Sequence, residues 1–403
     1  MTLGLDGLTL HPVQVFSYEA VKERAGTLGQ PESAARIETM AWLLEIAAQM
    51  ADELGARFVL HGGTTAQLHL ESAQQRGSAD VDGLFTGTLE EVEGAVARIG
   101  VRFAAIAPFL QFERMSRKHP PPDQFAAWSC RIPANHGGRV QPDGLASRQV
   151  KLEIALLTGE VPSELATGSV FGLKMSSGVA ILTKGALIGD KLLTLAVNTT
   201  GIELPEYPAP ADRHLERLAR QMYDIDHLSG TALSKVEIAD AAYMADYFAP
   251  LEGAMRGVQG VTASMALKDA REFACEWGLM PLPIGRKEWV AAAKRWQGGN
   301  VGRPLRLETP GWALRGLRVA STIRIVEAAV SDSAKGAVRF QKDITSLLDA
   351  GIKHPEIGTI AASTLLDEDR KICELALKRG RREWVTLLAL HRLGPEAFRS
   401  ALQ

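Results

Sequence analysis

Apolar positions along the chain follow two regimes that meet near residue 183. In the first regime helical and strand periods alternate. Ile37, Met40, Ala41, Leu44, Ala47, Ala48, Ala51 and Leu54 recur at three- and four-residue steps, the period of one helix face. Pro31 stands near the start of that run and Gly55 just past its end. Residues 57–61 (Arg-Phe-Val-Leu-His) are too few for a helix and stop at Gly62-Gly63, which predicts a strand. A helix is expected over 64–70, opening from the glycines, then a strand over 79–85 and a helix over 89–99. Residues 101–107, 125–132 and 149–156 read as further strands. The His-Pro-Pro-Pro run at 119–122 and the stretch 135–144 are rich in breakers and read as loops.

Beyond Thr183 the helical period persists. Leu187, Ile188, Leu192, Leu195 and Ala196 mark one helix, and Leu215, Leu218, Met222, Ile225 and Leu228 a second. Others are expected over 236–248, 263–277, 289–296, 323–330, 344–348 and 384–393. Pro205, Pro208, Pro210, Pro281, Pro283, Pro304, Pro310 and Pro355 separate them. Residues 371–390 also read as helical, with Gly380 a point of interruption. The pattern predicts an α+β protein: a mixed-sheet domain over 1–180, then an all-helical module over 181–403.

Composition narrows the class. Of the 403 residues, 46% are hydrophobic and 23% charged, which excludes wholesale disorder and fibrous repeats. No uncharged apolar run reaches the ~18 residues of a membrane span. The first residues lack a basic segment followed by an apolar one, so no secretion signal is expected. Cys130, Cys275 and Cys373 are sparse, odd in number and without zinc spacing, which points to a reducing cytoplasm. Charge is unevenly spread. Residues 251–403 hold 24 Lys and Arg against 17 Asp and Glu, a net +7, while residues 1–250 carry a net −9. An acidic half joined to a basic half fits a metal-using part beside a part that holds a polyanion. Ordinary solvated helix surface fits the split equally well.

The candidate chemistry lies at His61-Gly62-Gly63-Thr64-Thr65 and Arg76-Gly77-Ser78-Ala79-Asp80-Val81-Asp82. A strand ending in two glycines lets backbone approach a ligand, and the following helix points free N–H groups at the same place. Thr64 and Ser78 offer hydroxyls to phosphate oxygens or metal-bound water. Asp80 and Asp82, two apart on a strand, share a face. Two carboxylates side by side call for a cation, and Mg²⁺ takes such a pair together with phosphates. Each motif alone is common; their combination in this order is much more specific. Glu153 offers a third acid on the strand Val150-Lys151-Leu152-Glu153-Ile154, where Lys151 and Glu153 share one face. A third acid can complete a second metal or draw a proton from an attacking hydroxyl, or the two can form a solvated strand face. Lys184 and Lys191 fall on nearly one helix face, either as surface charges or as partners for a triphosphate. Arg213, Arg217, Arg220 and Asp224 make a polar stripe, in which Arg220 and Asp224 are either a surface pair of about 0.3–0.5 kcal/mol or drawn to the site.

On these residues the chain resembles the AbiEii/AbiGii toxin family of nucleotidyltransferases, which includes the MenT toxins and belongs to the DNA polymerase β-like superfamily. The family runs an apolar strand into Gly-Gly-Thr and a leucine, here Gly62, Gly63, Thr64 and Leu68. Its Arg-x-Ser-x-Asp-x-Asp is matched by Arg76, Ser78, Asp80 and Asp82, and its later acid by Glu153. Its Asp-Lys-Leu helix is matched by Asp190-Lys191-Leu192. Where the family reads Arg-Asp-x-Tyr-Asp, this chain reads Arg220-Gln221-Met222-Tyr223-Asp224, so that helix's role falls on Asp224 or is lost. The resemblance covers residues of about 33–230; the helical extension over 231–403 is longer than the family leads one to expect. It implies a Mg²⁺-dependent enzyme that moves NMP from an NTP to an acceptor hydroxyl, often as the toxin of a toxin–antitoxin or phage-defence pair. In MenT-like members the acceptor is the tRNA 3′ end. The implied roles are metal binding by Asp80, Asp82 and Glu153, nucleotide seating by Gly62, Gly63, Thr64, Arg76 and Ser78, and further catalytic parts for Lys191 and Asp224. Implied partners are NTP, RNA and a cognate antitoxin, with no membrane. Transfer to a small molecule or a protein hydroxyl, or a degenerate non-catalytic scaffold, are the competing readings. In the helical half, Lys378-Arg379-Gly380-Arg381-Arg382 and Arg286-Lys287 are the clusters expected to hold RNA.

Overall fold

The computed structural model describes residues 7–28, 33–116, 124–140, 146–176, 178–204, 212–279, 287–302, 305–363 and 367–403. Pro31, the run at 119–122, residues 141–144, Pro205, Pro208, Pro210, Pro281, Pro283, Pro304 and Arg286 lie outside them. The chain divides into two compact units, Met1–Leu187 and Ile188–Gln403. Among the described residues no helix is long and apolar enough to cross a membrane.

In the first unit α1 (Tyr18–Thr27) leads to α2 (Ala34–Leu54), which ends at Gly55 with φ 66°. Next come β1 (Phe58–His61), α3 (Gly62–His69), β2 (Asp80–Phe85) and α4 (Leu89–Ile106). There follow β3 (Phe112–Arg114), β4 (Phe125–Pro133), β5 (Arg139–Val140), β6 (Ala146–Leu156), β7 (Ser163–Leu165), β8 (Ser169–Val170), β9 (Leu173–Lys174) and β10 (Ala180–Leu182). The described strands form a mixed sheet in the order β3-β4-β6-β2-β1-β10-β7, with β5 paired to β6 off that path and β8–β9 a separate hairpin. The β2–β6 and β1–β10 pairs are parallel, and β1–β2 and β4–β6 antiparallel.

The two sheet faces follow from strand alternation. Phe58, Leu60, Val81, Phe85, Val150, Leu152 and Ile154 enter the main apolar core with Trp42, Ile46 and Met50 of α2 and Val92, Ile99 and Phe103 of α4. Gly83 is small for a reason: a Cβ there would stand 2.4 Å from the Phe58 ring and 2.6 Å from Ile154. The opposite face of the same strands carries His61, Asp80, Asp82, Lys151 and Glu153.

Two expectations are corrected here. Residues 101–107 are not a strand, because α4 runs on to Ile106. The helix is anchored by a capping box between Thr88 and Glu91, and Phe103 and Ile106 continue the buried stripe of Val92, Ala95, Val96 and Ile99. Gly100 costs such a helix only about 1 kcal/mol, too little to end it. The expected loop at 135–144 contains β5.

The boundary between the units falls within α5 (Lys184–Leu193), which ends before Leu195 and Ala196. The second unit is helical: α6 (Asp212–Ser229), α7 (Lys235–Met255), α8 (Ala263–Gly278), α9 (Lys287–Asn300), α10 (Thr309–Ser331), α11 (Ala334–Lys353), α12 (Ile357–Ala362), α13 (Asp367–Lys378), α14 (Arg382–Leu393) and α15 (Pro395–Ala401). Helix α10 is much longer than the expected 323–330, and Pro310 opens it rather than separating helices. It packs on α6, α7, α8, α11 and α14. Its approach to α8 is close because glycines meet there: a Cβ on Gly316 would lie 2.9 Å from the Ala274 carbonyl, and one on Gly278 2.4 Å from Leu317.

One buried polar cluster joins α6 to α10. The Arg315 guanidinium lies between the rings of Tyr223 (4.7 Å) and Trp312 (4.8 Å) and pairs with Asp226 at 2.8 Å. It also donates to His227 Nε2 at 3.1 Å, which makes that nitrogen an acceptor and the ring neutral. Burial first, then the Arg315 charge, pushes the His227 pKa down from 6.5 to about 4, against the pull of Asp226 and Asp224. Burial and Arg324 likewise push His391 down to about 3. The unfolded chain therefore takes up protons below its histidine pKa of 6.5 while these two rings stay neutral, so stability falls as pH drops from 6.5 toward 4. The share of His227 is on the order of 2 kcal/mol. Urea unfolding between pH 7 and 4.5 should show the loss, and His227→Gln, which keeps an acceptor for Arg315, should flatten it. An equally steep fall in that variant would show that His227 is not its source.

Candidate functional site

Strand β1 delivers the chain to Gly62 in the left-handed region, with φ 69°. Gly62 and Gly63 form the first residues of α3 rather than preceding it. Both are pressed onto the Arg-x-Ser-x-Asp-x-Asp segment. A Cβ at Gly62 would stand 2.0 Å from Asp82 Oδ2, and one at Gly63 2.5 Å from Ser78 Oγ and 3.6 Å from an Arg76 guanidinium nitrogen. The Gly63 N–H donates to Asp82 Oδ2 at 3.4 Å, at the positive end of α3. Glycine is thus needed twice over at 62, for its backbone angle and for the carboxylate lying against it.

The acids come together through register. In the parallel β2–β6 pair, Asp82 stands opposite Glu153 and Asp80 opposite Lys151. In the antiparallel β1–β2 pair, His61 stands opposite Asp82. Directly paired residues share a face, so Asp80, Asp82 and Glu153 belong to one patch with Lys151 beside it. All three acids are half-buried and Lys151 is exposed. The opposite alternates of the same strands are core, so a slip of one residue would turn the acids inward.

Two of the expected site residues are buried and already bonded within the protein. Thr64 is fully buried, and its hydroxyl donates to the Asp80 carbonyl at 2.8 Å. It ties α3 to the start of β2. Lys191 is also buried, with 2% exposed. Its ammonium donates to Asp224 Oδ2 at 2.8 Å and to Gln221 Oε1 at 3.1 Å. The charge expected to offset a triphosphate is matched by Asp224, itself 0% exposed. The Gln221 departure has a physical reading: the ammonium meets one carboxylate and one neutral oxygen. Arg76 is buried too, donating from Nη1 to the Gly77 carbonyl at 2.6 Å while its guanidinium stays beside Gly63. Of the basic cluster at 378–382, Arg382 is committed, donating to the carbonyls of Ile352 and His354 at the end of α11. Arg379 is exposed.

Among the described residues no three Asp, Glu, His or Cys side chains converge as a ready-made metal cage. The expected three-carboxylate metal set is therefore not preformed. The Asp82 carboxylate accepts from the Gly63 N–H. A Mg²⁺ ion needs no such cage, since it keeps waters and takes one or two carboxylates plus substrate phosphates. Asp80 and Asp82, hard oxygen donors beside a glycine-lined cradle, fit it.

Sequence reasoning passed over two residues that hold this site, Gln67 and Gln75, each fully or nearly fully buried. Their signal was weak: glutamines beside a glycine motif read as solvated surface. Against this geometry, the family model described as nucleotidyl transferase AbiEii toxin, Type IV TA system, matches residues 46–276, more than half of the chain. No curated protein matches.

Two substitutions test the geometry. Gly62→Ala should destabilise by about 1–2 kcal/mol through its left-handed backbone and, by displacing Asp82, abolish nucleotide binding. Gly257→Ala, also at positive φ but with nothing within 4 Å, should carry the strain alone. Titration calorimetry and melting curves read both; equal nucleotide binding by the two variants would refute the close packing. Separately, Lys191→Ala leaves Asp224 buried without its ammonium and should cost about 3–5 kcal/mol in denaturant unfolding. A variant as stable as the wild type would show the pair to be dispensable.

Proposed function

The chain belongs to the AbiEii family of nucleotidyl transferase toxins, and from that premise we propose that it transfers NMP from an NTP to the hydroxyl of an RNA acceptor, with Mg²⁺. The observation that carries the reading is the direct pairing of Asp82 with Glu153, on the sheet face where Gly62 and Gly63 leave no room for side chains. Backbone N–H groups at the start of α3, the Arg76 guanidinium and Ser78 Oγ seat the phosphates. Asp80 and Asp82 hold Mg²⁺, which when bound offsets charge on the phosphates and on the departing pyrophosphate. Glu153 takes the proton as the acceptor oxygen bonds to the α-phosphorus and the bond to the bridging oxygen breaks. Lys191 and Asp224 act at a remove, as a buried pair that orders their helices.

An RNA acceptor, with tRNA the first candidate, draws its support from the net +7 of residues 251–403. Arg382 keeps its charge but directs its hydrogen bonds to carbonyls, so direct phosphate contacts fall on exposed residues such as Arg379. The family's toxin–antitoxin description leads us to infer a cognate antitoxin as partner and action in the cytoplasm, where NTP and RNA meet.

The test is incorporation of each labelled NTP into total tRNA with Mg²⁺. Wild type should label the RNA. Asp80→Ala and Asp82→Ala should not, while melting near the wild-type temperature, because each removes a half-buried acid and no core volume. Glu153→Gln should lower turnover by about 10²-fold or more with the fold intact. Near wild-type labelling by either Asp variant would overturn the reading. Label that stays on the protein, or appears only with a small-molecule acceptor, would overturn the RNA acceptor alone.

A further inference from the structure

The glycine seat is closed by Arg76-Gly77-Ser78, a segment with no secondary structure of its own. Two side chains hold it in place. Gln67, on α3 and 0% exposed, accepts at Oε1 from the N–H groups of Arg76 at 2.7 Å and Gly77 at 3.2 Å. Gln75, 2% exposed, donates from Nε2 to the carbonyls of Gln67 at 2.8 Å, Leu70 at 3.0 Å and Ser169 at 2.6 Å. Its Oε1 accepts from the Phe171 N–H at 2.6 Å. The network thus runs from α3 through the Arg76 segment to the β8–β9 hairpin.

The far end of the network is stiff. Phe171 and Gly172 turn β8 into β9 with φ 51° and 75°, the two-residue geometry that favours glycine and asparagine. Phe171 is the one described residue other than glycine with positive φ. Such a conformation costs on the order of 1 kcal/mol and persists where surrounding structure over-determines it. Here the Gln75 bond fixes the backbone, and the buried ring packs beside Gly77. At the near end the Ser78 N–H points to Met40 Sδ of α2 at 3.0 Å.

Buried amides are costly unless their donors and acceptors are used. Apolar packing would hold a loop more simply, but it leaves side chains free to slide. Directional bonds made by Gln75 or meeting the backbone of Arg76 and Gly77 set the position of this short stretch instead. We propose that Gln67 and Gln75 are positioning residues of the nucleotide seat: their paired amides fix where the Arg76 guanidinium and Ser78 hydroxyl stand relative to Gly63, and so set the fit to the NTP phosphates. The proposal rests on the nucleotidyl-transfer reading above.

The shortest bonds of Gln67 are accepted and most of those of Gln75 are donated, and that gives the test. Gln67 holds its segment through an accepting oxygen and donates from Nε2 to the Gly63 carbonyl at 3.4 Å; Gln67→Glu keeps the acceptor and loses only that longer bond, whereas Gln67→Met removes both at similar volume. Gln75 donates to three carbonyls, so Gln75→Glu sets a carboxylate against them at unchanged shape. NTP incorporation into total tRNA, measured across NTP concentration with Mg²⁺, should give a KM about tenfold or more higher for Gln67→Met and Gln75→Glu. Their kcat should change less than about threefold, the sign of lost binding rather than lost chemistry. Gln67→Glu should return KM to within about threefold of wild type. Circular dichroism and melting curves establish the fold, and Gln67→Asn, whose oxygen is drawn back by one methylene, replaces Gln67→Met if that variant does not fold. Variants that melt lower but keep the wild-type KM would assign the glutamines to stability alone and overturn the proposal. A Gln67→Glu variant no better than Gln67→Met would overturn it too. A wild-type protein that incorporates no NTP would instead overturn the transfer reading, and this proposal with it.

Discussion

The contact on which the site depends is the packing of two bare glycines onto a carboxylate and a serine. Gly62 and Gly63 have no side chains, so α3 begins against Asp82 and Ser78 with no intervening atoms. Three consequences follow from that closeness. The positive end of α3 meets the acid that would share a metal. The Gly63 N–H and the Arg76 guanidinium face the same small volume. Thr64, one residue on, is near enough to tie the Asp80 carbonyl. A β-carbon at either glycine would push these groups apart together, so the site behaves as one object and not as a set of separable parts.

Behind that contact the sheet works as a sorting device. One face of β2 and β6 is apolar and covered by α2 and α4, and the other carries the acids. The second unit is built on different terms. Its helices approach closely at Gly278 and Gly316, and its buried charges, Lys191 with Asp224 and Arg315 with Asp226, are satisfied inside the unit. Such pairs add little net stability over apolar residues, but the loss of one member is severe. They order the helices that carry them.

Much of this was legible in the sequence, and the failures have physical causes. The strand into Gly62-Gly63, the shared face of Asp80 and Asp82, and the split of Lys151 and Glu153 from Val150, Leu152 and Ile154 follow from local period. That Asp82 pairs with Glu153 does not, because partner choice between strands is set by the whole sheet. The strand expected at 101–107 failed because Val101 and Phe103 sit two apart, as on a strand, whereas Phe103 and Ile106 continue the stripe of the helix already begun at Thr88 and Val101 is left exposed. Short strands such as β5, β8 and β9 are too brief to carry a period at all. Lys191 and Thr64 were identified by type but not by burial, and burial decides what a hydroxyl or an ammonium is available to do. Gln67 and Gln75 escaped because their partners are backbone atoms, which have no signature in sequence.

The parallel β2–β6 pairing also bears on how the protein comes into being. A parallel pair needs a crossover, and here α4 and β4 are made before β6 can take its place beside β2. The site therefore has no partial form along the growing chain: a product ending before β6 holds the glycines and both aspartates but lacks Glu153. Long-range pairings of this kind form late and cooperatively. The topology thus makes the full set of three acids a property of the finished sheet.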